Sequence, residues 1–286
     1  MQHRIVWIHG IGNHSTGYSA SWQATFNTYL QLAADNYVEV CWEEVFQAAR
    51  ATARGSTPES RAVALTPDEQ RDEAAIRAEL ETLLLARASA LGNAQAPATA
   101  RGAADTKVVE WSQVYRAPRA RGILDWVFNP DEYLGDFVKY LVSRNVRNAV
   151  KEKAKERLRP LAGVDYRISI VGHSWGSVVA YDSLLDLEAE QPGLQVANLV
   201  TLGSPLWMVQ RFLDERSGRK PRQTGSWINI HARRDVIGSW LKPGFLVDKE
   251  WEVPDFGGAG PHSSYFEANN VAVQRDIVAQ YILAAS

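Results

Sequence analysis

The fold is decided by one stretch of the chain, Ile168-Ser169-Ile170-Val171-Gly172-His173-Ser174-Trp175-Gly176-Ser177-Val178-Val179-Ala180-Tyr181. The apolar run before Gly172 predicts a buried strand, and the residues after Gly176 predict a helix. The G-x-S-x-G pattern between them is typical of a sharp turn that exposes a serine hydroxyl at the carboxyl edge of a sheet. We therefore predict Ser174 as a nucleophile. The alternative is an ordinary glycine-rich turn.

A serine hydroxyl needs a base within hydrogen-bond reach, and that base must be oriented by a third group. Only two histidines follow Ser174, namely His231 and His262. His262 lies in a glycine-rich loop between the last predicted strand and the last predicted helix, whereas His231 ends a strand. We predict His262 as the general base and interpret His231 as a packed histidine near the sheet edge.

Three aspartates are candidates for the acid that orients the base. Asp235 follows the predicted strand at 227–231 after a short turn, so it lies where strand ends meet the catalytic loops. Asp248 falls near or inside the next strand, and Asp255 precedes His262 too closely along the chain. We predict Asp235 as the acid. Its alternative role, capping a short helix over 236–241, is compatible with catalysis.

Charge that develops on a substrate oxygen needs donors aimed at it in advance, each contributing about 3 to 4 kcal/mol. We predict the backbone N–H of Trp175 as one donor. The second is expected from the loop His9-Gly10-Ile11-Gly12 after the first strand, which indicates the N–H of Ile11. The side chains of His9, Asn13 and His14 are candidates for lining the substrate site beside this loop.

The rest of the chain predicts a single α/β domain with an insertion. Strand, helix and strand occupy residues 1–42, and after Pro160 apolar strands alternate with helices, which indicates a parallel sheet buried on both faces. Residues 43–136 are rich in Ala, Arg and Glu and predict a helical insertion or cap. Inside it, the capping signal at Thr66 predicts a helix that runs to 92–93. A second signal at Asn129 predicts one long helix that runs to Leu158 and leads back into the second part of the core, residues 137–286.

Composition excludes several classes of partner. The formal net charge is -2 and the pI is near 6.3, so there is no basic field for a nucleic acid. The spacing of histidines and carboxylates predicts no metal site, and the loop at residues 9–13 lacks the pattern of a nucleotide cradle. The apolar run at residues 5–8 is too short for a signal-peptide core or a membrane span. We expect a cytoplasmic protein without a cofactor.

These motifs together resemble the α/β-hydrolase superfamily, and within it the lipase and esterase-like serine hydrolases. The resemblance rests on H-G-I-G-N at 9–13, G-H-S-W-G-S-V-V-A-Y-D at 172–182, and the stretches 200–206, 229–235 and 262–266. It implies a mostly parallel sheet of about six strands flanked by helices, with the insertion as a helical cap. Residues 43–136 match nothing in the family. Trp175 is bulkier than is usual after the nucleophile and is expected to narrow the acyl site.

By resemblance, the reaction is hydrolysis of a small-molecule acyl ester through an acyl-enzyme on Ser174. Amidase, thioesterase or acyltransferase chemistry on the same triad stays open, as does a non-catalytic binding module. Apolar residues of the cap either build an acyl pocket or hold the cap onto the core; they are Trp111, Trp126, Val127, Phe128 and Tyr133. An exposed apolar cap would also make weak contact with a lipid surface. The acyl chain length, the leaving group and the oligomeric state are not indicated by the sequence.

Overall fold

The computed structural model describes residues 2–12, 14–51, 64–93, 134–213, 217–255 and 260–284. Three residues of the predicted substrate site, Asn13, Trp126 and Phe128, lie outside these ranges, and so do Trp111, Val127 and Tyr133. The predicted start of a helix at Asn129 also lies outside them.

The described residues contain a sheet of six strands, all parallel, in the order β2-β1-β3-β4-β5-β6. This confirms the predicted α/β class and strand number. The strands are β1 (Gln2–Ile8), β2 (Tyr37–Val40), β3 (Tyr166–His173), β4 (Val196–Leu202), β5 (Thr224–Ala232) and β6 (Lys249–Val253). Because parallel strands need crossovers, each strand is followed by a connection that returns the chain to the opposite end of the sheet.

Helices provide most of these connections. They are α1 (Ala20–Leu30), α2 (Glu44–Ala51), α3 (Pro67–Asn93), α4 (Leu134–Val142), α5 (Arg144–Leu158), α6 (Trp175–Glu190) and the short α7 (Leu206–Val209). The last helix, α8, has a π-helical part, Ala272–Ala279, continued by an α-helical turn, Gln280–Leu283.

Both faces of the sheet are covered, as expected for alternating strands and helices. In β1, Ile5 and Trp7 point to a cluster completed by α1 and α8, whereas Val6 and Ile8 point to a larger cluster. The larger cluster includes buried side chains from α3, α4, α5 and α6. The sheet is therefore a rigid platform whose carboxyl edge presents the loops that follow the strands.

Within the predicted insertion at 43–136, the structure describes α2, α3 and the first residues of α4. The capping box at the start of α3 is confirmed, since the N–H of Thr66 donates to Glu69 Oε2 at 2.8 Å and Glu69 N–H donates to Thr66 Oγ1 at 3.3 Å. Leu80 and Leu84 of α3 are buried in the larger cluster. This helix is thus packed on the sheet domain. A cap over the strand ends stays a prediction.

Two predicted helices differ from the structure. The long helix ending at Leu158 is interrupted at Ser143, whose backbone is extended with φ −103° and ψ 118°. The carbonyls freed at the end of α4 accept hydrogen bonds from Arg147, at 3.2 Å from Tyr140 O and 2.8 Å from Leu141 O. The predicted helix over 236–241 is wrong, because these residues form bends and irregular loop. The N–H of Ile237 still donates to Asp235 Oδ1, which is the contact that a capping aspartate makes.

In the part of the chain that the structure covers, no helix combines the length and the apolar character needed to cross a bilayer. The cytoplasmic location stays a prediction.

Candidate active site

Ser174 lies at the turn between β3 and α6, with φ 53° and ψ −126°. A positive φ is rare for a residue with a Cβ and indicates a strained turn at a site where position matters. The flanking glycines are required by close backbone contacts. A Cβ on Gly172 would lie 2.7 Å from Ser177 Cα, and a Cβ on Gly176 would lie 2.2 Å from Ile8 O. The turn therefore has the geometry that the G-x-S-x-G pattern predicts.

The turn lies beside the crevice where the strand order of the sheet reverses. β1 has β2 on one side and β3 on the other, and the chain leaves β1 and β3 toward opposite faces. Open α/β sheets bind their ligands at such a switch point, outside the carboxyl ends of the strands. A Cβ on Gly10 would lie 2.7 Å from Ser174 Cβ and 3.2 Å from Ser174 Oγ. The loop after β1 thus runs directly beside the predicted nucleophile.

The two predicted oxyanion donors border this contact. Ile11 follows Gly10 in the loop beside Ser174, and Trp175 is the first residue of α6. The first N–H groups of a helix have no partner within the helix and carry its positive dipole end, which favours a developing negative charge. The side chain of Trp175 is buried and packs edge-on against Phe137 and Tyr140. Its indole therefore contributes to core packing, and the role of both N–H groups stays a prediction.

His262 and Asp235 are brought together although 27 residues separate them. Nδ1 of His262 lies 3.0 Å from both carboxylate oxygens of Asp235. Asp235 is fully buried, and its Oδ2 also accepts a hydrogen bond from the Tyr265 hydroxyl at 2.6 Å. The N–H of Ile237 donates to Oδ1 at 2.9 Å. With its oxygens on Nδ1, the carboxylate holds His262 in the tautomer that leaves Nε2 without a hydrogen.

Burial alone raises the pKa of the Asp235 carboxyl, but the adjacent His262 and the hydrogen bonds from His262, Tyr265 and Gly238 lower it more. The pKa of Asp235 is therefore held well below its usual range, and the carboxyl stays ionised at neutral pH. Nε2 of His262 is buried and accepts no hydrogen bond from any described residue. An acceptor of this kind is what a general base requires.

Gly203, at the end of β4, makes room for this pair. Its φ is 58°, and a Cβ there would lie 2.9 Å from Asp235 Oδ2 and 3.0 Å from His262 Nδ1. A side chain at this position would displace either Asp235 or His262. The sequence marks Gly203 only as part of the stretch 200–206, without a role.

His173 and Tyr265 support the pair, and sequence reasoning assigned neither of them a role. The His173 ring donates from Nε2 to the backbone carbonyl of His262 at 2.8 Å, and the two rings lie 4.8 Å apart. Burial lowers the pKa of His173 to about 3, so this ring is neutral and keeps its geometry. The Tyr265 hydroxyl accepts from the N–H of Ala232 at 2.9 Å while it donates to Asp235. The sequence points to His173 only because it precedes Ser174, and to Tyr265 only because it lies three residues after His262.

The other candidates for the acid and the base have different interaction partners. Asp248 accepts from Lys220 Nζ at 2.9 Å and from the N–H of Trp227 at 2.7 Å, near the start of β5. Asp255 pairs with Arg234. His231 is buried with its Nε2 3.7 Å from Glu252 Oε2.

His9 and His14 lie at the base of the loop after β1. The His9 ring is fully buried, stacks on Trp42 at 4.9 Å and has its Nδ1 2.6 Å from Gly10 O. Burial lowers the pKa of His9 to about 3. The backbone of His14 is anchored by the carboxylate of Glu43 at 3.0 Å. These residues shape the loop, and a contact of their side chains with substrate stays a prediction.

The described residues contain no group of three or more His, Cys, Asp and Glu side chains placed to hold a metal ion.

No protein-family model matches the chain, and no curated protein matches it either. What the site does must therefore be inferred from its own geometry.

Proposed function

We propose that this chain is a serine hydrolase of the α/β-hydrolase superfamily that cleaves carboxylic esters through an acyl-enzyme on Ser174. One observation carries the proposal. An Asp235–His262 pair with Nδ1–O distances of 3.0 Å lies at the same sheet edge as a serine on a positive-φ turn. Nucleophile, base and orienting acid are the three parts of the serine triad, which is recognised by geometry and roles.

In the proposed first half-reaction, Ser174 Oγ attacks the ester carbonyl carbon while its proton passes to Nε2 of His262. The carbonyl oxygen becomes an oxyanion, for which the N–H groups of Ile11 and Trp175 are the proposed donors. As the oxyanion collapses, the bond to the alkoxy oxygen breaks, and His262 returns the proton to the departing alcohol. The acyl group then remains on Ser174.

In the second half-reaction, water takes the place of the alcohol. His262 removes a proton from the water, whose oxygen attacks the acyl carbon, and the proton is returned to Ser174 Oγ as the acid leaves. In both halves an imidazolium forms next to Asp235. Because the pKa of Asp235 is held well below its usual range, its carboxylate stays charged and stabilises that imidazolium.

Ester is the proposed bond because the resemblance is to lipases and esterases. The same residues would also perform amide or thioester hydrolysis, or acyl transfer to an acceptor other than water. The proposed partner is a small acyl compound, and no nucleic acid is proposed. Weak contact with a lipid surface through the predicted cap, residues 43–136, is part of the same proposal.

The test combines labelling with turnover. Intact-mass spectrometry after treatment with a fluorophosphonate, followed by peptide mapping, should find one adduct, on Ser174. Hydrolysis of p-nitrophenyl esters from short to long acyl chains, with matched amides and thioesters, ranks the substrates. Ser174→Ala serves as the control for both measurements. If the folded parent protein forms no adduct and turns over no substrate, the hydrolase proposal is wrong and a binding module takes its place.

A further inference from the structure

The loop that carries Asp235 is held from outside by an arginine of the insertion. Arg87, on α3, donates from Nη2 to Asp235 O at 3.1 Å and to Gly238 O at 2.8 Å. Its Nε lies 3.3 Å from Asp235 O. The guanidinium thus binds the two ends of the segment 235–238, although 148 residues separate Arg87 from Asp235.

A second side chain holds the carbonyl between these two. The Trp207 indole N–H of α7 donates to Ile237 O at 2.6 Å, and the Arg87 guanidinium lies over the Trp207 ring at 5.3 Å from its centroid. Arg87 and Trp207 therefore form one unit that accounts for three carbonyl oxygens of the loop.

Backbone N–H groups of the same loop donate hydrogen bonds to the Asp235 carboxylate. The N–H of Ile237 donates to Asp235 Oδ1, and Gly238 contributes a further backbone hydrogen bond to the carboxyl. The Ile237 carbonyl, which Trp207 holds, and the Gly238 N–H belong to the same peptide plane, so Trp207 orients one donor to the carboxylate directly. Arg87 holds the carbonyls of Asp235 and Gly238, which lie at the two ends of the segment that contains both donors. The orientation of the loop and the position of the carboxylate are coupled in this way.

The helix that carries Arg87, α3, is itself held in place by packing and by an ion pair. Leu80 and Leu84 of α3 are buried in the larger core cluster, and Glu79 forms an ion pair with Arg211 next to α7. A guanidinium on a packed helix presents a rigid fork of donors, which suits two carbonyl oxygens better than the single ammonium of a lysine.

We propose that Arg87 is a positioning residue of the active site. It fixes the loop 235–238 so that the Asp235 carboxylate meets Nδ1 of His262. Through Arg87, α3 thus helps to position the active site. The inference rests on the proposed function, since it assumes that Asp235 orients His262 as the base. Arg87 itself touches no reacting atom.

The test uses the full chain with Arg87→Gln, which removes the charged fork, and Arg87→Lys, which keeps the charge. Arg71→Gln is the matched control, because Arg71 lies on the same helix with its side chain 79% exposed. Misplacing a catalytic group by about 1 Å costs about 100-fold in rate. We expect Arg87→Gln to lower kcat by about 10- to 100-fold at nearly constant KM, Arg87→Lys to lower it less, and Arg71→Gln to match the parent.

Two further readouts separate positioning from general stability. The Nδ1–H of His262 should give a downfield proton resonance in the parent, assigned by its loss in His262→Gln, and this resonance should shift or broaden in Arg87→Gln but not in Arg71→Gln. Added guanidinium ion, below denaturing concentration, should restore part of kcat in Arg87→Ala and none in Arg71→Ala.

The outcomes decide between the two proposals. If the parent shows the resonance but forms no fluorophosphonate adduct and has no turnover, the hydrolase proposal fails while the positioning role is still measured by the resonance. If the parent is active and Arg87→Gln keeps both kcat and the resonance, the positioning role is overturned. Should Arg87→Gln not fold, Arg87→Lys and Trp207→Phe, which deletes one donor of the unit, decide by the same two measurements.

Discussion

Replacing Asp235 by asparagine tests the central pair of the proposed site. Both carboxylate oxygens lie 3.0 Å from His262 Nδ1, so the two charges of an Asp235–imidazolium pair would be about 4 Å apart. At an effective dielectric constant of about 20, this attraction is about 4 kcal/mol, or about a thousandfold in rate. The Asp235→Asn variant would lose it, because an amide has the shape of the carboxylate without its charge.

The tautomer of His262 adds to this loss. The N–H of Ile237 can only donate, whereas the Tyr265 hydroxyl can turn to accept, so the oxygen of the new amide occupies the Oδ1 position and its nitrogen the Oδ2 position. Nδ1 of His262 then faces an acceptor and a donor at equal distance, and the tautomer bonded to the donor carries its hydrogen on Nε2. That tautomer cannot accept the serine proton. We expect a total loss of about ten-thousandfold in kcat.

The assay is hydrolysis of the best p-nitrophenyl ester, with circular dichroism and thermal unfolding to show that the variant is folded. Asp248→Asn and Asp255→Asn are the controls, since these carboxylates pair with Lys220 and Arg234 instead of a histidine. Both should stay near the parent rate. A folded Asp235→Asn within tenfold of the parent, or a large loss in Asp255→Asn instead, would refute the assignment of the acid.

Three further predictions concern the turn at Ser174, called the elbow below, and the buried histidines near it. Ser174→Ala should lower the rate by at least about a thousandfold without changing the thermal unfolding temperature much, and near-parent ester hydrolysis would exclude Ser174 as nucleophile. Gly176→Ala would place a Cβ 2.2 Å from Ile8 O and 2.3 Å from His9 O, so urea unfolding should show a loss of about 1 to 3 kcal/mol or more, and an unchanged midpoint would contradict the contact. Burial lowers the pKa of His9 and of His173 to about 3, so the unfolded chain binds these protons first. The free energy of unfolding should be highest above about pH 6.5 and fall toward pH 3 by about 1.4 kcal/mol per pH unit for each histidine. Urea titrations at several pH values should show a shallower slope for His173→Gln than for the parent, and a free energy that does not change with pH would contradict the prediction.

Local sequence carries much of the fold because periodicity and capping depend on near neighbours. Strands alternate with helices after Pro160 as predicted, and the capping box at Thr66 starts its helix as predicted. The elbow around Ser174 is equally local, since strand, turn glycines and helix are contiguous. Ser143 shows where this logic ends: nothing in the apolar spacing marks the break, which Arg147 stabilises from the following helix by binding carbonyls at the end of the preceding one.

The choice of partners was decided by the tertiary structure. On sequence grounds, Asp235 had two rivals and His262 had one, and only the arrangement of the strands shows that Asp248 lies near the start of β5 while Asp235 meets His262. Arg87 could not be connected with Asp235 from the sequence, because a contact across 148 residues depends on how α3 packs on the sheet. The sequence by itself thus determined which residue types form the elements and the elbow, since these follow from short-range spacing. Tertiary packing decided which distant groups come within hydrogen-bond reach, since that distance is set by the sheet order and the helices docked on it.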